Sequence, residues 1–99
     1  MEKIELEYPG TAGVGKDALA GVVGSGDLEV LFKPAASARL SVTVRTSVDG
    51  STARWQRLFD RIAASRNLPA GQLVVHDFGA TPGVVRLRIE QVFEESCHG

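Results

Sequence analysis

The sequence predicts an α+β fold, in which about two helices pack on one face of a mostly antiparallel sheet. Several segments alternate apolar and polar residues, which is typical of half-buried strands. One segment instead repeats its apolar residues with the period of a helix. The chain has 99 residues, a length that one hydrophobic core can serve, so we expect residues 1–99 to form a single domain.

The predicted strands come from alternation, from β-branched residues or from short apolar runs. They cover residues 2–8, 18–23, 28–32, 39–46 and 73–78. The second and third are separated by Gly24-Ser25-Gly26-Asp27, a composition typical of a tight turn. These two segments are therefore predicted to form a hairpin with Ser25 at its tip.

One helix is predicted from a clear helical period. Its apolar residues stand at i, i+3, i+4, i+7 and i+8, namely Trp55, Leu58, Phe59, Ile62 and Ala63. Ser51 precedes this pattern as a possible N-cap, and Asn67 and Pro69 follow it as possible stop signals.

The last segment fits two structures. Val85, Leu87 and Ile89 alternate with charged residues as in a strand, yet Val85, Ile89, Val92 and Phe93 also suit one helical face. Thr81 as N-cap and Pro82 at the first helical position favour a helix over residues 82–96.

Composition excludes several classes of function. Eleven Lys and Arg against twelve Asp and Glu give a net charge of −1, so no general field attracts nucleic acid or an anionic membrane. No apolar stretch approaches the roughly 18 residues of a membrane span. A single cysteine, Cys97, and a charged start instead of a signal sequence lead us to expect a cytoplasmic protein without direct membrane contact.

The segment from Gly10 to Asp17 nearly matches a phosphate-binding P-loop. A P-loop ends in Ser or Thr because that hydroxyl ligates magnesium, whereas Asp17 would bring a carboxylate to the phosphates. Nucleotide hydrolysis that depends on Lys16 therefore stays only as a disfavoured third hypothesis.

Three other patterns do not predict a catalytic or metal site. Asp77-Phe78-Gly79 copies a kinase tripeptide without its accompanying motifs. His76 and Asp77 are neighbours in a predicted strand and should point to opposite faces, so His76 is interpreted as structural. Cys97 and His98 are too few for a structural zinc site, and no base is placed beside Cys97.

Arg54, Arg57 and Arg61 form a basic stripe on the predicted helix. Such a stripe is most often a solvated face. It could also dock an acidic partner or a phosphate-rich group, because Arg suits carboxylate and phosphate geometry.

Ser25 lies between two glycines, which would leave its hydroxyl accessible to a modifying enzyme, and the turn amides could hold an anion. From these residues alone, an ordinary turn is favoured over a modification site.

A family resemblance changes that balance. Residues 24–30, residues 46–51 with Arg54-Trp55, and residues 76–88 resemble the acyl carrier (delta) subunit of malonate decarboxylase and, distantly, the acyl carrier (gamma) chain of citrate lyase. The resemblance implies that Ser25, flanked by Gly24, Gly26 and Asp27, carries 2'-(5''-triphosphoribosyl)-3'-dephospho-CoA through a phosphodiester. Ordinary acyl carrier proteins differ, since their serine begins a helix of an all-helical bundle.

The resemblance further implies a non-catalytic carrier of acetyl and malonyl thioesters. Its expected partners are the transferase (alpha) and decarboxylase (beta, gamma) subunits, a prosthetic-group transferase and a malonyl transferase. The alternative hypothesis is an unmodified adaptor that docks through Arg54, Arg57 and Arg61, with residues 24–27 as a plain turn.

Overall fold

A mixed sheet with two helices forms the fold of the computed structural model, which describes residues 2–11, 18–20, 28–35, 37–47 and 50–98 (backbone only for 18–20, 82 and 96–98). In chain order, the elements are β1 (Glu2–Pro9), β2 (Ala18–Ala20), β3 (Leu28–Pro34), β4 (Arg39–Thr46), α1 (Thr52–Ser65), β5 (Gly71–Asp77) and α2 (Pro82–His98). None of these helices has the length and apolar character needed to cross a bilayer, as far as the described residues extend.

The strands lie in the order β1-β4-β5-β3-β2. Three of the four pairings are antiparallel, and β4 with β5 is the parallel pair. Parallel neighbours need a crossover connection, which α1 provides between them. The predicted α+β class with a mostly antiparallel sheet is therefore confirmed.

One face of the sheet is buried and carries both helices. Val30, Val44 and Val75 lie side by side in neighbouring strands, and all three are fully buried. They share one hydrophobic cluster with α1 residues such as Phe59 and α2 residues such as Phe93. The opposite face is polar or only partly buried, so alternation along each strand separates core from solvent as predicted.

Strand boundaries differ from the prediction at β3, which ends at Pro34 and not at Phe32, and at β5. This strand starts at Gly71, two residues before the predicted start at Leu73, and it ends at Asp77. A Cβ on Gly71 would lie 2.2 Å from the carbonyl oxygen of Lys33, so only glycine allows this close approach to β3. Glycine is uncommon in strands, which is why the prediction omitted this end.

The predicted hairpin is confirmed only as far as the structure describes it. β2 and β3 are antiparallel neighbours, with Ala20 opposite Val30. Residues 21–27, including the predicted turn, lie outside the described residues. The same holds for residues 12–17 of the P-loop-like segment, whereas Thr11 bonds through its backbone to Leu68 and Ala70.

Ser51 occupies the predicted N-cap position of α1 without a side-chain capping bond. The carboxylate of Glu2 instead accepts hydrogen bonds from the backbone nitrogens of Gly50 (3.4 Å) and Ser51 (3.2 Å). A negative charge at this position suits the positive end of the helix dipole. A β1 side chain therefore supplies an acceptor at the start of α1, where the sequence predicted the Ser51 hydroxyl as the cap.

The ambiguous last segment is a helix. The Thr81 hydroxyl accepts a hydrogen bond from the Val84 nitrogen at 3.4 Å, and the Val85 nitrogen donates to the Thr81 carbonyl at 3.0 Å. Val85, Ile89, Val92 and Phe93 are buried along one face. The predicted start at Thr81-Pro82 is confirmed, because capping and helical periodicity agree there.

Candidate functional site

The predicted site residues Gly24, Ser25, Gly26 and Asp27 lie outside the described residues. The structure does describe the end of the sheet to which they connect. We call this the turn end and define it by Leu28, Thr46, Asp77 and residues 78–81. Leu28 follows Asp27 directly, is fully buried and lies opposite Asp77 in the β3–β5 ladder.

The register of the β2–β3 ladder is centred on Ser25. Ala18 pairs with Phe32, Leu19 with Leu31 and Ala20 with Val30. The two members of each pair are equally far from residue 25 along the chain. Ser25 is therefore midway along the sequence between the paired residues Ala20 and Val30.

Asp77 holds the turn end together. Its carboxylate is buried, and Oδ1 accepts hydrogen bonds from the backbone nitrogens of Gly79 and Ala80, each at 3.0 Å. Oδ2 accepts a third hydrogen bond of 2.9 Å from the Thr46 hydroxyl. Gly79 has φ +97°, which permits the tight turn after the strand. Sequence reasoning interpreted Asp77 only as part of an accidental kinase-like tripeptide and missed this structural role.

His76 lies on the other face of the sheet, as predicted. Its Nδ1 atom is 3.4 Å from the Oε1 atom of Glu29, its partner in the adjacent strand. Asp77 points into the core instead. The two side chains therefore do not form a dyad, and the interpretation of His76 as structural stays a prediction.

All three arginines of the predicted stripe are exposed. Within the part of the chain that the structure describes, Arg54, Arg57 and Arg61 show no ion pair. Arg54 lines a pocket between α1 and α2, and Arg61 lines a shallow groove that also includes the exposed Leu87. Arg54 and Arg61 thus border the junction of the two helices.

The pocket beside Arg54 is a feature that sequence reasoning missed. It has a volume of about 40 Å³ and is lined by Arg54, Trp55, Leu58, Ala80 and Val85. Trp55 is 2% exposed, and its Nε1 atom has no hydrogen-bond partner in the described structure. The helical period identified Trp55 as a core residue, but no sequence signal indicates that the loop after β5 meets it.

Tyr8 and Asp60 form a polar contact between β1 and α1. The Tyr8 hydroxyl donates a hydrogen bond of 2.7 Å to Oδ1 of Asp60. Burial, together with this bond and the nearby negative charge, raises the pKa of the Tyr8 phenol well above its usual range. This hydrogen bond links α1 to β1 and involves none of the residues that define the turn end.

Metal-ligating groups do not cluster in the described part of the chain, where no three His, Cys, Asp or Glu side chains come together. The side chains of Cys97 and His98 are outside what the structure describes, although α2 includes both residues. The expectation that this pair forms no zinc site therefore stays a prediction, whereas a disordered tail at these two residues is not what the helical backbone shows.

The family model for the malonate decarboxylase delta subunit (MdcD) matches residues 15–96. The chain is 62% identical to the malonate decarboxylase acyl carrier protein of Klebsiella pneumoniae, and 57% identical to that of Pseudomonas aeruginosa PAO1. Each comparison covers 99% of both chains. A chain in the crystal structure of a Pseudomonas malonate decarboxylase hetero-tetramer in complex with malonate superposes with a TM-score of 0.90. It is 54% identical and covers 96% of this chain and 98% of its own.

Proposed function

The chain belongs to the malonate decarboxylase delta subunit family, and on that premise we propose that it is the acyl carrier of a malonate decarboxylase, with Ser25 as its attachment point. The proposed group is O-(phosphoribosyl dephospho-coenzyme A)serine, derived from 2'-(5''-triphosphoribosyl)-3'-dephospho-CoA. Gly24, Gly26 and Asp27 would surround it. The chain's 99 residues would then form one carrier domain of a multi-subunit complex.

The observation that carries this proposal is the β2–β3 register centred on Ser25. A residue midway in sequence between two paired strands belongs to their connection, and connecting segments commonly carry modification and binding sites. Glycine on either side adds no side chain that would block the hydroxyl. A serine in a connecting segment, with no bulky neighbours, meets the requirements for a prosthetic-group attachment site.

The described residues at the turn end fit such a group. Buried Asp77 and Thr46 brace the strand ends beside Leu28, which gives a long arm a rigid base. Ala80, which donates its backbone N–H to Asp77, also lines the neighbouring pocket together with Trp55.

In the attachment step, the Ser25 hydroxyl oxygen bonds to the innermost phosphorus of the ribosyl triphosphate. The bond from that phosphorus to the outer two phosphates breaks, and diphosphate leaves. The hydroxyl proton passes to solvent, and a phosphodiester results. A separate prosthetic-group transferase would catalyse this step.

When bound, the group supplies a thiol that carries acetyl or malonyl as a thioester and stabilises the carbanion left by decarboxylation. The chain's own contribution is tethering. A flexible arm on a folded base raises the effective concentration of the thioester at each successive active site. We therefore propose that the carrier itself is not a catalyst.

The proposed partners are the transferase (alpha) and decarboxylase (beta, gamma) subunits and a malonyl transferase. The exposed Arg54, Arg57 and Arg61 support docking on acidic surfaces of these proteins. Balanced charge and the single cysteine support a cytoplasmic complex. The adaptor hypothesis uses the same arginines but requires no group on Ser25.

Intact-mass measurement tests the attachment. The wild-type chain and the variants Ser25→Ala and Ser47→Ala are each co-expressed with the complete set of malonate decarboxylase proteins. The intact mass of each purified chain is then measured. We expect wild type and Ser47→Ala to gain the mass of the phosphoribosyl dephospho-CoA group and Ser25→Ala to gain none. Ser47 is exposed at the end of β4 and is a matched control. An unmodified wild type would favour the adaptor, and a modified Ser25→Ala would exclude Ser25 as the site.

A further inference from the structure

A shallow groove follows the junction of α1 and α2 on the surface of the molecule. Two residues of α1 and four of α2 line it: Leu58, Arg61, Gly83, Arg86, Leu87 and Glu90. Its volume is about 450 Å³, against about 40 Å³ for the pocket beside Arg54. A cavity holds one water in roughly 10–15 Å³. The groove therefore has room for whole side chains of another protein, whereas the pocket admits only a few atoms.

Leu87 gives the groove an exposed apolar surface. It is 51% exposed, more than any other large apolar side chain among the described residues. Val85 and Ile89 lie on the core face of α2, so Leu87, midway between them in sequence, lies on the opposite side of the helix. A single exposed leucine is common on protein surfaces. Leu87 is informative because the half-buried Leu58 lines the same groove.

Gly83 keeps part of the groove free of side-chain atoms. It is the second residue of α2, and its φ is not in the left-handed region. A Cβ at this position would meet no atom within 4 Å. Neither backbone geometry nor packing within the described residues therefore requires a glycine here, although glycine weakens a helix relative to alanine. A partner that packs closely against this backbone would explain the residue.

The charges that are free around the groove are positive. Arg57 and Arg61 are exposed and form no ion pair within the residues that the structure describes. Among the residues that line the groove, Glu90 is the one carboxylate, and its Oε1 atom is 3.4 Å from the Nε atom of Arg86, which neutralises it. Asp60, the acidic residue of α1, is hydrogen-bonded to β1 instead. Charge complementarity therefore selects an acidic partner, although the whole chain has a net charge of −1.

We infer that a catalytic subunit of the complex docks in this groove, an inference that rests on the proposed place of the chain in a malonate decarboxylase. The occupant is a segment of that subunit with an apolar side chain between two carboxylates. The apolar side chain packs against Leu58 and Leu87 across Gly83. The carboxylates pair with Arg57 and Arg61. Apolar burial supplies affinity, and the arginines set the orientation.

Competition within the complete complex measures this contact. Each variant carrier is co-expressed with the wild-type carrier and the complete set of malonate decarboxylase proteins, and the complex is purified through a tag on a catalytic subunit. Intact mass then gives the ratio of the two carriers in the complex, relative to their ratio in the lysate. The same spectrum shows whether each carrier bears the prosthetic group.

Three variants test the two parts of the inference. Leu87→Asp removes the apolar contact and repels carboxylates, so it should be depleted from the complex by about tenfold or more. Leu87→Lys removes the same contact but adds a cation, and should be depleted less than Leu87→Asp. Gly83→Leu fills the groove without meeting an atom of its own chain, and should be depleted by about tenfold.

Matched controls make the same changes elsewhere. Leu31→Asp and Leu31→Lys alter an exposed leucine of β3. Gln56→Leu adds a leucine on the side of α1 where the Gln56 carbonyl lies 3.5 Å from the Tyr8 hydroxyl. All three should compete as well as wild type. Urea unfolding verifies that every variant is folded, and the two Leu87 variants decide alone if Gly83→Leu is not.

Photo-crosslinking identifies the occupant. Leu87→benzoylphenylalanine, which places a photoreactive side chain in the groove, should crosslink to one catalytic subunit, in a segment with an apolar residue flanked by Asp or Glu. A crosslink to a second copy of the carrier, to the prosthetic-group transferase or to a basic segment overturns the inference. So does a Leu87→Lys carrier that is depleted as much as Leu87→Asp, or a Leu87→Asp carrier that competes as well as wild type or as poorly as Leu31→Asp.

The outcomes separate this inference from the proposed function. Carriers that bear the prosthetic group, yet enter the complex regardless of the changes at Leu87 and Gly83, overturn the groove and leave attachment at Ser25 intact. A wild-type carrier that bears no group, but excludes Leu87→Asp from the complex, overturns attachment and supports the groove.

Discussion

Asp77 and Thr46, the last residues of the two parallel strands, are joined by a hydrogen bond of 2.9 Å from the Thr46 hydroxyl to the Asp77 carboxylate. Thr46 is fully buried and Asp77 is 4% exposed. The other carboxylate oxygen accepts from Gly79 and Ala80. One side chain thus connects β4, β5 and the loop that forms a wall of the Trp55 pocket.

Asp77→Ala should destabilise the protein by about 3 kcal/mol, because it removes charge-assisted bonds and leaves a buried hydroxyl and two loop amides without this acceptor. Urea unfolding measures the change as a lower midpoint with an unaltered slope. Glu5→Gln is the control, since Glu5 forms an exposed ion pair with Lys3 and its replacement should change stability little. Equal midpoints for wild type and Asp77→Ala would contradict the assigned role.

Tyr8 should stay protonated in the folded protein at pH values where free tyrosine ionises. Burial and then the Asp60 contact raise its pKa above the usual value of about 10. A pKa raised by folding adds stability that is fully present below about pH 10 and is lost as pH rises toward the folded value. Because the chain has one tyrosine, its phenolate absorbance during an alkaline titration reports this site alone.

Two variants separate the causes of the Tyr8 shift. Tyr8→Phe should remove the phenolate signal and lessen the fall of stability at alkaline pH. Asp60→Asn removes the negative charge but keeps the burial, so the ionisation of Tyr8 should move only part of the way back toward its usual pH. A wild-type phenolate that forms near pH 10 without unfolding would refute the effect of this contact.

Arg57→Glu together with Arg61→Glu should weaken association with the transferase and decarboxylase subunits by about tenfold, because it reverses two exposed charges of the proposed docking face. Arg54 is left unchanged since it lines the Trp55 pocket. Co-purification at low and high salt measures the effect, and high salt should reduce wild-type binding too.

Lys33→Glu together with Arg45→Glu is the matched control for that experiment. It makes the same change in net charge at exposed residues on the opposite face of the sheet. We expect this control to keep its partners. Loss of binding in both double variants would indicate a general charge effect and would remove the stripe from the docking proposal.

Local patterns predicted most of the fold. Alternation located β1 and β4, and the period of Trp55, Phe59 and Ile62 located α1, because both patterns record which side of an element faces the core. For the last segment, Thr81 as N-cap and Pro82 at the first helical position favoured a helix over a strand, and the Thr81 hydroxyl does accept from the Val84 nitrogen. The start of β5 was wrong by two residues, since Gly71 is selected by its contact with Lys33 and not by strand propensity.

The sequence by itself determined the elements, the family resemblance and the nomination of Ser25, because these depend on neighbouring residues and on their order. Only the tertiary structure decided that Glu2 supplies the anion at the start of α1, that Asp77 braces two strands and a loop, and that Trp55 and Ala80 share a pocket. Each of these joins residues far apart in the chain. Their distances follow from the strand order of the sheet, which no local pattern encodes.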